Sequence, residues 1–389
     1  MKESPLSLLI IYSGQITPDS GAGGTVWQSA KALRELGHRV DVVGGDELER
    51  RISHNKLHYA VELPRRILRV VQKRMAAERY DALIISQPYG YLAGQFLRGM
   101  KNAPLYLHRS HGHELALAET AKLYPEAERE VPSGLHRIVG ILLSACMNRQ
   151  ARLALRYADG TVVPCLSDYE YLVERERGSP QYIRVIPHAP VDCYRSTPVR
   201  EFTRERHQRL LYVGNVIPRK GEKNLFRSSR EILTSIPTAT LTIVTAGRDH
   251  ERIRSELGPQ VAGKLTLMEW MPQERLLEIY DEHGVLLITS LYEGASKVHY
   301  EGMTRGLCVV ATAVGATCDT LISGHNGWLV PPGDTVGFTA TCEAVLRDFE
   351  GSQRVAGHAR ETVMAYSWQR NAQGIVDFIR ELAARKAGA

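Results

Sequence analysis

Ser290-Leu-Tyr-Glu-Gly-Ala-Ser-Lys-Val-His-Tyr-Glu-Gly-Met-Thr-Arg-Gly-Leu-Cys-Val-Val-Ala-Thr312 sets two glutamates, Glu293 and Glu301, with seven residues between them, flanked by apolar runs at 285–289 and 307–311. The layout predicts strand, tight turn, helix, turn, strand, as in a parallel sheet. Glu293 then falls at the carboxyl end of a strand, the edge where open α/β sheets bind ligands. Gly294 loosens the turn, Ser296 is a candidate N-cap, and Gly306 closes the helix. The helix start offers free N–H groups and a partial positive charge to an anion. Glu301, further along the helix, can accept bonds from paired hydroxyls. The pair suits a sugar nucleotide, with Glu293 on the sugar and Glu301 on the ribose.

The same alternation extends in both directions. Short apolar runs at 6–12, 40–43, 82–85, 105–107, 161–163 and 183–186 are followed by six more at 210–213, 241–244, 265–267, 285–288, 309–311 and 328–330. Continuous apolar strands alternating with helical periods predict buried parallel sheets. Twelve strands in two groups give an α/β protein of two Rossmann-like domains. The chain of 389 residues suits two such domains. The boundary is placed in the polar stretch 192–208. From Trp368 onward, Ile375, Phe378, Ile379 and Leu382 recur at helical spacing, so one face of a final helix is buried.

The segment 290–312 resembles the E-x7-E signature of the retaining GT-B glycosyltransferases of family 4, also called glycosyl transferases group 1. Glu293, Gly294, Ser296, Glu301, Met303, Gly306, Val309, Val310, Ala311 and Thr312 match; Ala295, Lys297, Gly302 and Cys308 depart. Tyr366-Ser-Trp368 matches the family's F/Y-S-W. Met271-Pro-Gln-Glu-Arg-Leu-Leu277 and Gly324-His-Asn-Gly-Trp-Leu-Val-Pro-Pro-Gly-Asp334 match architectural turns. The resemblance is specific in the second half and loose between Asp46 and Pro104. It implies GT-B architecture, two Rossmann-like domains facing each other across a cleft. Residues 1–200 form the acceptor side, 201–366 the nucleotide-sugar donor side, and the helix 367–389 crosses back onto the first domain.

Three further motifs carry chemistry. The loop 14–24 ends Gly21-Ala-Gly23-Gly24. It lacks the third glycine of a dinucleotide fingerprint, since Val26 stands there, and it is not a P-loop. It resembles the family's G-G loop, so Gly23 and Gly24 are expected near donor and acceptor. Arg109-Ser-His-Gly-His-Glu114 follows a strand. His111 best matches the family histidine that touches the donor sugar, with His113 as fallback and Glu114 able to orient either ring. Tyr212-Val-Gly-Asn-Val-Ile-Pro-Arg-Lys-Gly-Glu222 resembles G-R-x-x-x-x-K-G. Gly214, Lys220 and Gly221 match, but Asn215 replaces the arginine that grips the diphosphate. Arg219 is the only nearby substitute, and its side chain is expected to point elsewhere. In Val185-Ile-Pro-His-Ala-Pro-Val-Asp192, His188 departs from the family's I-P-N-G.

The expected catalytic set is His111, Glu293 and Lys220. The expected donor-binding set is Gly23, Gly24, Gly214, Asn215, Arg219, Lys220, Ser296, Lys297 and Glu301. No metal-ligand cluster or D-x-D is read, so neither metal nor cofactor is expected. The implied activity is transfer of a hexosyl unit from a nucleotide sugar, UDP-linked in the first instance and GDP-mannose in the second. The acceptor would be a glycan, a lipid-linked molecule or a small molecule. A nucleotide-sugar 2-epimerase and a non-catalytic sugar-nucleotide binder are the alternatives.

Net charge of +6 is mild and carries no aromatic-basic interleaving, so nucleic acid is not a partner. Six scattered cysteines without a C-x-x-C pair fit reduced cytosolic thiols. The start, Met1-Lys-Glu-Ser-Pro, is not read as a signal peptide. The longest apolar run, 138–147, is far short of the ~20 residues of a membrane span. A cytoplasmic protein is expected. Two basic-apolar segments suggest peripheral contact with the inner face of a membrane: Arg65, Arg66, Arg69, Lys73 and Arg74 among Ile67 and Val71, and Arg137, Arg149, Arg152 and Arg156 among Ile138, Ile141 and Leu142. Surface helices with a solvated basic face are the favoured reading.

Overall fold

A computed structural model describes residues 4–124 and 135–388; the first three residues of the start motif and the side chain of Arg137 lie outside the described set. The chain divides into two compact units. The first comprises Met1–Glu119, Glu130–His188 and Trp368–Ala389; the second comprises Thr120–Arg129 and Ala189–Ser367.

In the first unit six strands run parallel: β1 (Ser7–Ile11), β2 (Arg39–Val43), β3 (Ala82–Ser86), β4 (Leu105–Arg109), β5 (Gly160–Val163) and β6 (Ile183–Val185). Their order is β2-β1-β3-β4-β5-β6. In the second unit β7 (Arg209–Val213), β8 (Thr240–Val244), β9 (Leu265–Met268), β10 (Val285–Ile288), β11 (Cys308–Thr312) and β12 (Trp328–Val330) lie in the order β12-β11-β10-β7-β8-β9, again all parallel. All twelve expected runs are strands. The side chains of the central strands are almost wholly buried because helices cover both faces, while the edge strands β2, β6, β9 and β12 are only partly buried. Leu8, Leu9, Ile10 and Ile11 are inaccessible in one sheet and Val285, Leu286, Val309 and Val310 in the other.

Strand order reverses between β1 and β3 in the first sheet and between β7 and β10 in the second. Ligands of doubly wound sheets bind outside the carboxyl ends at such switch points. Tyr12 and Gln87 follow the first pair of strands. The turn 214–221 and the segment 290–296 follow the second.

The division between units falls at Ala189, ahead of the expected 200. A buried guanidinium is the reason. Arg305 forms a two-pronged ion pair with Asp281, at 2.8 and 2.7 Å, and donates to the carbonyls of Tyr194, Thr197 and Pro198. This ties 194–198 to the second unit. The final helix, Trp368–Ala387, belongs to the first unit. It buries Trp368, Ile375, Phe378, Ile379 and Leu382. Its Asn371 bonds the Ser29 hydroxyl and the Pro187 carbonyl, and Ser29 in turn accepts from Arg109 at 2.8 Å.

Candidate active site

In the second unit, two glycines let backbone cross backbone. Gly221 is left-handed, and a Cβ there would stand 1.8 Å from the Thr289 carbonyl oxygen. Gly315 is also left-handed, and its Cβ would meet the Glu293 carbonyl at 2.0 Å. Neither site tolerates a side chain. The short 3₁₀ turn Pro218–Lys220 is thereby pressed onto the end of β10. Thr289 Oγ1 donates to the Lys220 carbonyl at 2.8 Å, and Leu291 N–H donates to that of Arg219 at 2.9 Å.

Both side chains of that turn reach one carboxylate. Lys220 Nζ pairs with Glu293 Oε1, and Arg219 Nη1 stands 3.8 Å from the same oxygen. Arg219 also donates to the Tyr292 carbonyl at 3.4 Å, and Ser290 Oγ donates to Glu293 at 3.2 Å. The expectation that Arg219 points away is therefore corrected. The turn is fixed at its carbonyls beside the end of β10, and from there both long side chains reach the same carboxylate oxygen. Asn215, by contrast, is exposed, and its carbonyl is held by the Tyr212 hydroxyl at 3.1 Å. Gly214 precedes it with positive φ.

Burial pushes the Glu293 carboxyl up, but the charges of Lys220 and Arg219 and the bonds from Lys220 and Ser290 outweigh it. Its pKa lies below the ordinary 4.5. Eight positions on, Glu301 is also buried, and there burial wins over the Lys297 charge and the Tyr280 bond, so its pKa is raised. Tyr280 donates to Glu301 Oε2 at 2.9 Å. Ser296 occupies the N-cap position of the helix Lys297–Thr304 in extended conformation, but its hydroxyl makes no capping bond. The capping role expected of that hydroxyl is corrected. Gly306 is left-handed behind the helix, with its N–H on the Met303 carbonyl. His299 lies inside the helix, fully buried against the Tyr300 ring at 3.9 Å. Burial lowers its pKa to about 3.

The remaining expected residues lie in the first unit. Gly23 and Gly24 open the helix Ala22–Glu35 and are buried. A Cβ on Gly23 would stand 2.0 Å from the Gln15 carbonyl, so this glycine closes the loop onto the helix start. His111 is half-buried. Its Nε2 lies 3.2 Å from Ser86 Oγ at the end of β3, and its ring stands edge-on to Tyr12 at 5.7 Å. Burial, with Arg109, His188 and His108 nearby, holds it well below the ordinary histidine range, so it is a neutral imidazole at pH 7.

His113 is wholly buried, with its N–H on Asp168 at 3.1 Å. Glu114 lies with His113 and His108, all three offering ligand atoms within 4.8 Å of one another. Two expectations change here. Ser86, rather than Glu114, contacts the His111 ring, and a group of metal-ligand residue types does come together. The turn after β4 folds His113 and Glu114 back beneath the strand, a juxtaposition invisible in their sequence spacing. Leu115 N–H reaches His113 Nδ1 at 3.3 Å, and burial raises Glu114 to about 8.

Sequence reasoning missed three neighbours of the site. His188 stacks on Trp368 and lies 6.2 Å from the His111 ring; its departure from the family pattern was the available signal. Ser86 and Tyr280 carried none. Asn326 and Asp334, in the matched turn, are architectural: Asn326 bonds the Thr320 carbonyl, and Asp334 caps the helix Thr335–Arg347. Among the described residues, no helix is long and apolar enough to cross a membrane.

Residues 207–348 match the family model of the glycosyl transferases group 1. The chain is 27% identical over 297 residues to a D-inositol 3-phosphate glycosyltransferase of Acidothermus cellulolyticus, covering 71% of this chain and 62% of that protein. It is 25% identical to that of Corynebacterium diphtheriae, covering 75% of this chain and 68% of the relative. The match to the first of these relatives thus spans less than two thirds of its length. The sucrose-phosphate synthase of Thermosynechococcus elongatus superposes with a TM-score of 0.75 at 22% identity, over 98% of this chain and 100% of that one. The Anabaena protein HepE, in complex with UDP and glucose, gives 0.68 at 15% identity, over 96% and 99%. The fold is that of the GT-B glycosyltransferases.

Proposed function

We propose that this chain, whose residues 207–348 belong to the glycosyl transferases group 1, moves a hexosyl unit from a nucleotide sugar to an acceptor hydroxyl with retention of configuration. The convergence of Lys220 and Arg219 on Glu293 carries this reading. Two cations are held at a sheet switch point, beside the start of a helix. Before donor arrives, Glu293 is their counter-ion. A donor diphosphate supplies the negative charge instead and leaves the carboxylate to the sugar hydroxyls. The bond from the anomeric carbon to the phosphate oxygen breaks, and its electron pair goes to the diphosphate. Lys220, Arg219 and the helix start stabilise the growing charge. The acceptor oxygen bonds to the same face, and its proton passes to the leaving phosphate oxygen. Glu301, held on one side by Tyr280, accepts from the ribose. His111, neutral and tethered to Ser86, serves the sugar.

The two cations and the helix start supply positive charge at the diphosphate without a divalent ion, so turnover is expected to survive chelation. UDP-sugars are the first donor to test, because the superposing Anabaena protein holds UDP and glucose. The acceptor is a glycan, a lipid-linked molecule or a small molecule. The experiment is a thermal-shift panel of nucleotide sugars, followed by product analysis on the donor that stabilises most. A transferase hydrolyses that donor slowly without acceptor and gives a retained linkage with one. An epimerised nucleotide sugar, or tight binding with no breakdown, would replace this reading.

A further inference from the structure

The helix Leu135–Tyr157 does not follow the usual rule for a surface helix of an α/β domain. Its second half is anchored. Gln150, Ala151 and Ala154 are buried, and Gln150 donates to the Ala60 carbonyl. Its first half turns apolar side chains outward: Ile138 is 57% exposed, Val139 45%, Ile141 59% and Leu142 64%. Positions 138, 141 and 142 share one face. The neighbouring segment adds Leu57 and Val61, at 39% and 37%, four residues apart on one side of their own helix. Solvent-facing apolar residues scattered singly need no explanation, but a contiguous group marks an interaction surface.

Among the described residues, the charges placed beside the group are those of Lys56, Arg65 and Arg149. The helix has no aspartate or glutamate in its 23 residues. Lys56 Nζ lies 3.3 Å from Ser144 Oγ, over the stripe formed by Gly140 and Ser144. Arg65 and Arg149 flank the next turn, where both act on Tyr91 beside Cys146. The adjacent carboxylate, Glu62, is turned inward onto His58 at 2.9 Å and Arg66 at 3.5 Å. An apolar stripe rimmed by cations, on a helix too polar overall to span a bilayer, fits a helix lying in a lipid headgroup layer.

We propose that this face docks on an anionic lipid surface, with Ile138, Ile141 and Leu142 entering the acyl boundary and Lys56, Arg65 and Arg149 resting on lipid phosphates. The proposal is independent of the transferase reading. Flotation of the full chain with vesicles tests it, using phosphatidylglycerol mixed into phosphatidylcholine and phosphatidylcholine alone. Binding is expected only to the anionic vesicles, and it should weaken as salt rises. Lys56→Gln and Arg149→Gln should each weaken binding roughly fivefold. Ile141→Ser combined with Leu142→Ser should weaken it further while leaving the circular dichroism and melting temperature unchanged, since both side chains already face solvent. Absence of binding to anionic vesicles overturns the proposal, as does equal binding by the serine variant. Wild-type dimers that the serine variant disperses, with no vesicle binding, would assign the face to a second copy of the chain.

Discussion

Glu293 and Glu301 belong to one short segment and are equally shut off from water, yet their acidities move in opposite directions. Two cations and a hydroxyl hold the first as a carboxylate. The second has the Tyr280 phenol and the charge of Lys297, and there burial prevails. Burial alone therefore says nothing about the charge a carboxylate carries; the partners decide. The contrast has a functional reading. Glu293 is charged before any ligand arrives and keeps two cations in place. Burial raises the Glu301 pKa, and under the proposed reading its carboxylate meets ligand hydroxyls.

The strongest way to break the comparison is to remove each carboxylate and measure turnover. Glu293→Ala should lower kcat by about 100-fold or more, the scale for losing a group that orders transition-state charge. Its affinity for UDP should change little, because Lys220 and Arg219 remain. Glu301→Ala should instead weaken UDP by ~1–3 kcal/mol, the cost of unsatisfied ribose hydroxyls. If both variants lose nucleotide affinity equally, the division of labour is wrong.

The next largest effect concerns the two cations. Arg219→Ala and Lys220→Ala should each weaken UDP by ~1.5–3 kcal/mol, the range for a charge-assisted bond, and leave uridine nearly unaffected. Calorimetric titration of both ligands decides it. Equal losses on uridine would mean that the turn collapsed rather than that a phosphate contact vanished.

Stability sharpens the contrast in a ligand-free protein. Glu293 has a depressed pKa, so its contribution is present above about 4.5 and is lost as pH falls through the folded value. Glu301 has a raised pKa, so its charged form opposes folding as pH rises from 4.5 through the folded value, and that penalty is absent at lower pH. Glu293→Gln should therefore destabilise at pH 7, by ~1–3 kcal/mol for two cations left facing each other, and the deficit should shrink in acid. Glu301→Gln should be no less stable than wild type at pH 7, and more so at pH 8. Urea titrations at pH 4.5 and 8 test both signs, and a loss of the same size in each variant would show that packing controls both sites.

Much of this was legible in the sequence. The apolar runs mark the strands because the central ones are buried on both faces, and Glu293 and Lys220 could be placed because each follows such a run. Relations that depend on how a turn curls were not legible. Arg219 reaches Glu293 because the 3₁₀ turn is stitched to the segment after β10 through Thr289 and Leu291, 69 and 72 residues from their partners in sequence. Tyr280 meets Glu301 across two helices. His108, His113 and Glu114 meet through a reversal after β4. The helix Leu135–Tyr157 was legible as a basic-apolar surface segment, but which of its apolar side chains turn outward was not, because spacing alone does not show which side the domain lies on.

The smallest expected effect bears on a residue where the chain departs from the motif it resembles. Asn215 stands where that motif has an arginine, and the sequence alone suggests that restoring it would tighten diphosphate binding. The position of Arg219 changes that expectation. A guanidinium already shares the Glu293 carboxylate with Lys220, so a second one from the other end of the turn would meet a phosphate whose charge is largely matched. It would also come from an exposed residue whose side chain must be immobilised to act. Asn215→Arg should therefore tighten UDP by less than about 1 kcal/mol. In an Arg219→Ala background the same substitution should restore a larger share of the loss, ~1.5 kcal/mol or more. The coupling between the two positions is the quantity to measure, by titrating UDP into wild type, both single variants and the double. Additive effects would mean that 215 and 219 contact different parts of the ligand. A strong gain from Asn215→Arg alone would mean that Arg219 stays with Glu293 and Tyr292 when the donor binds.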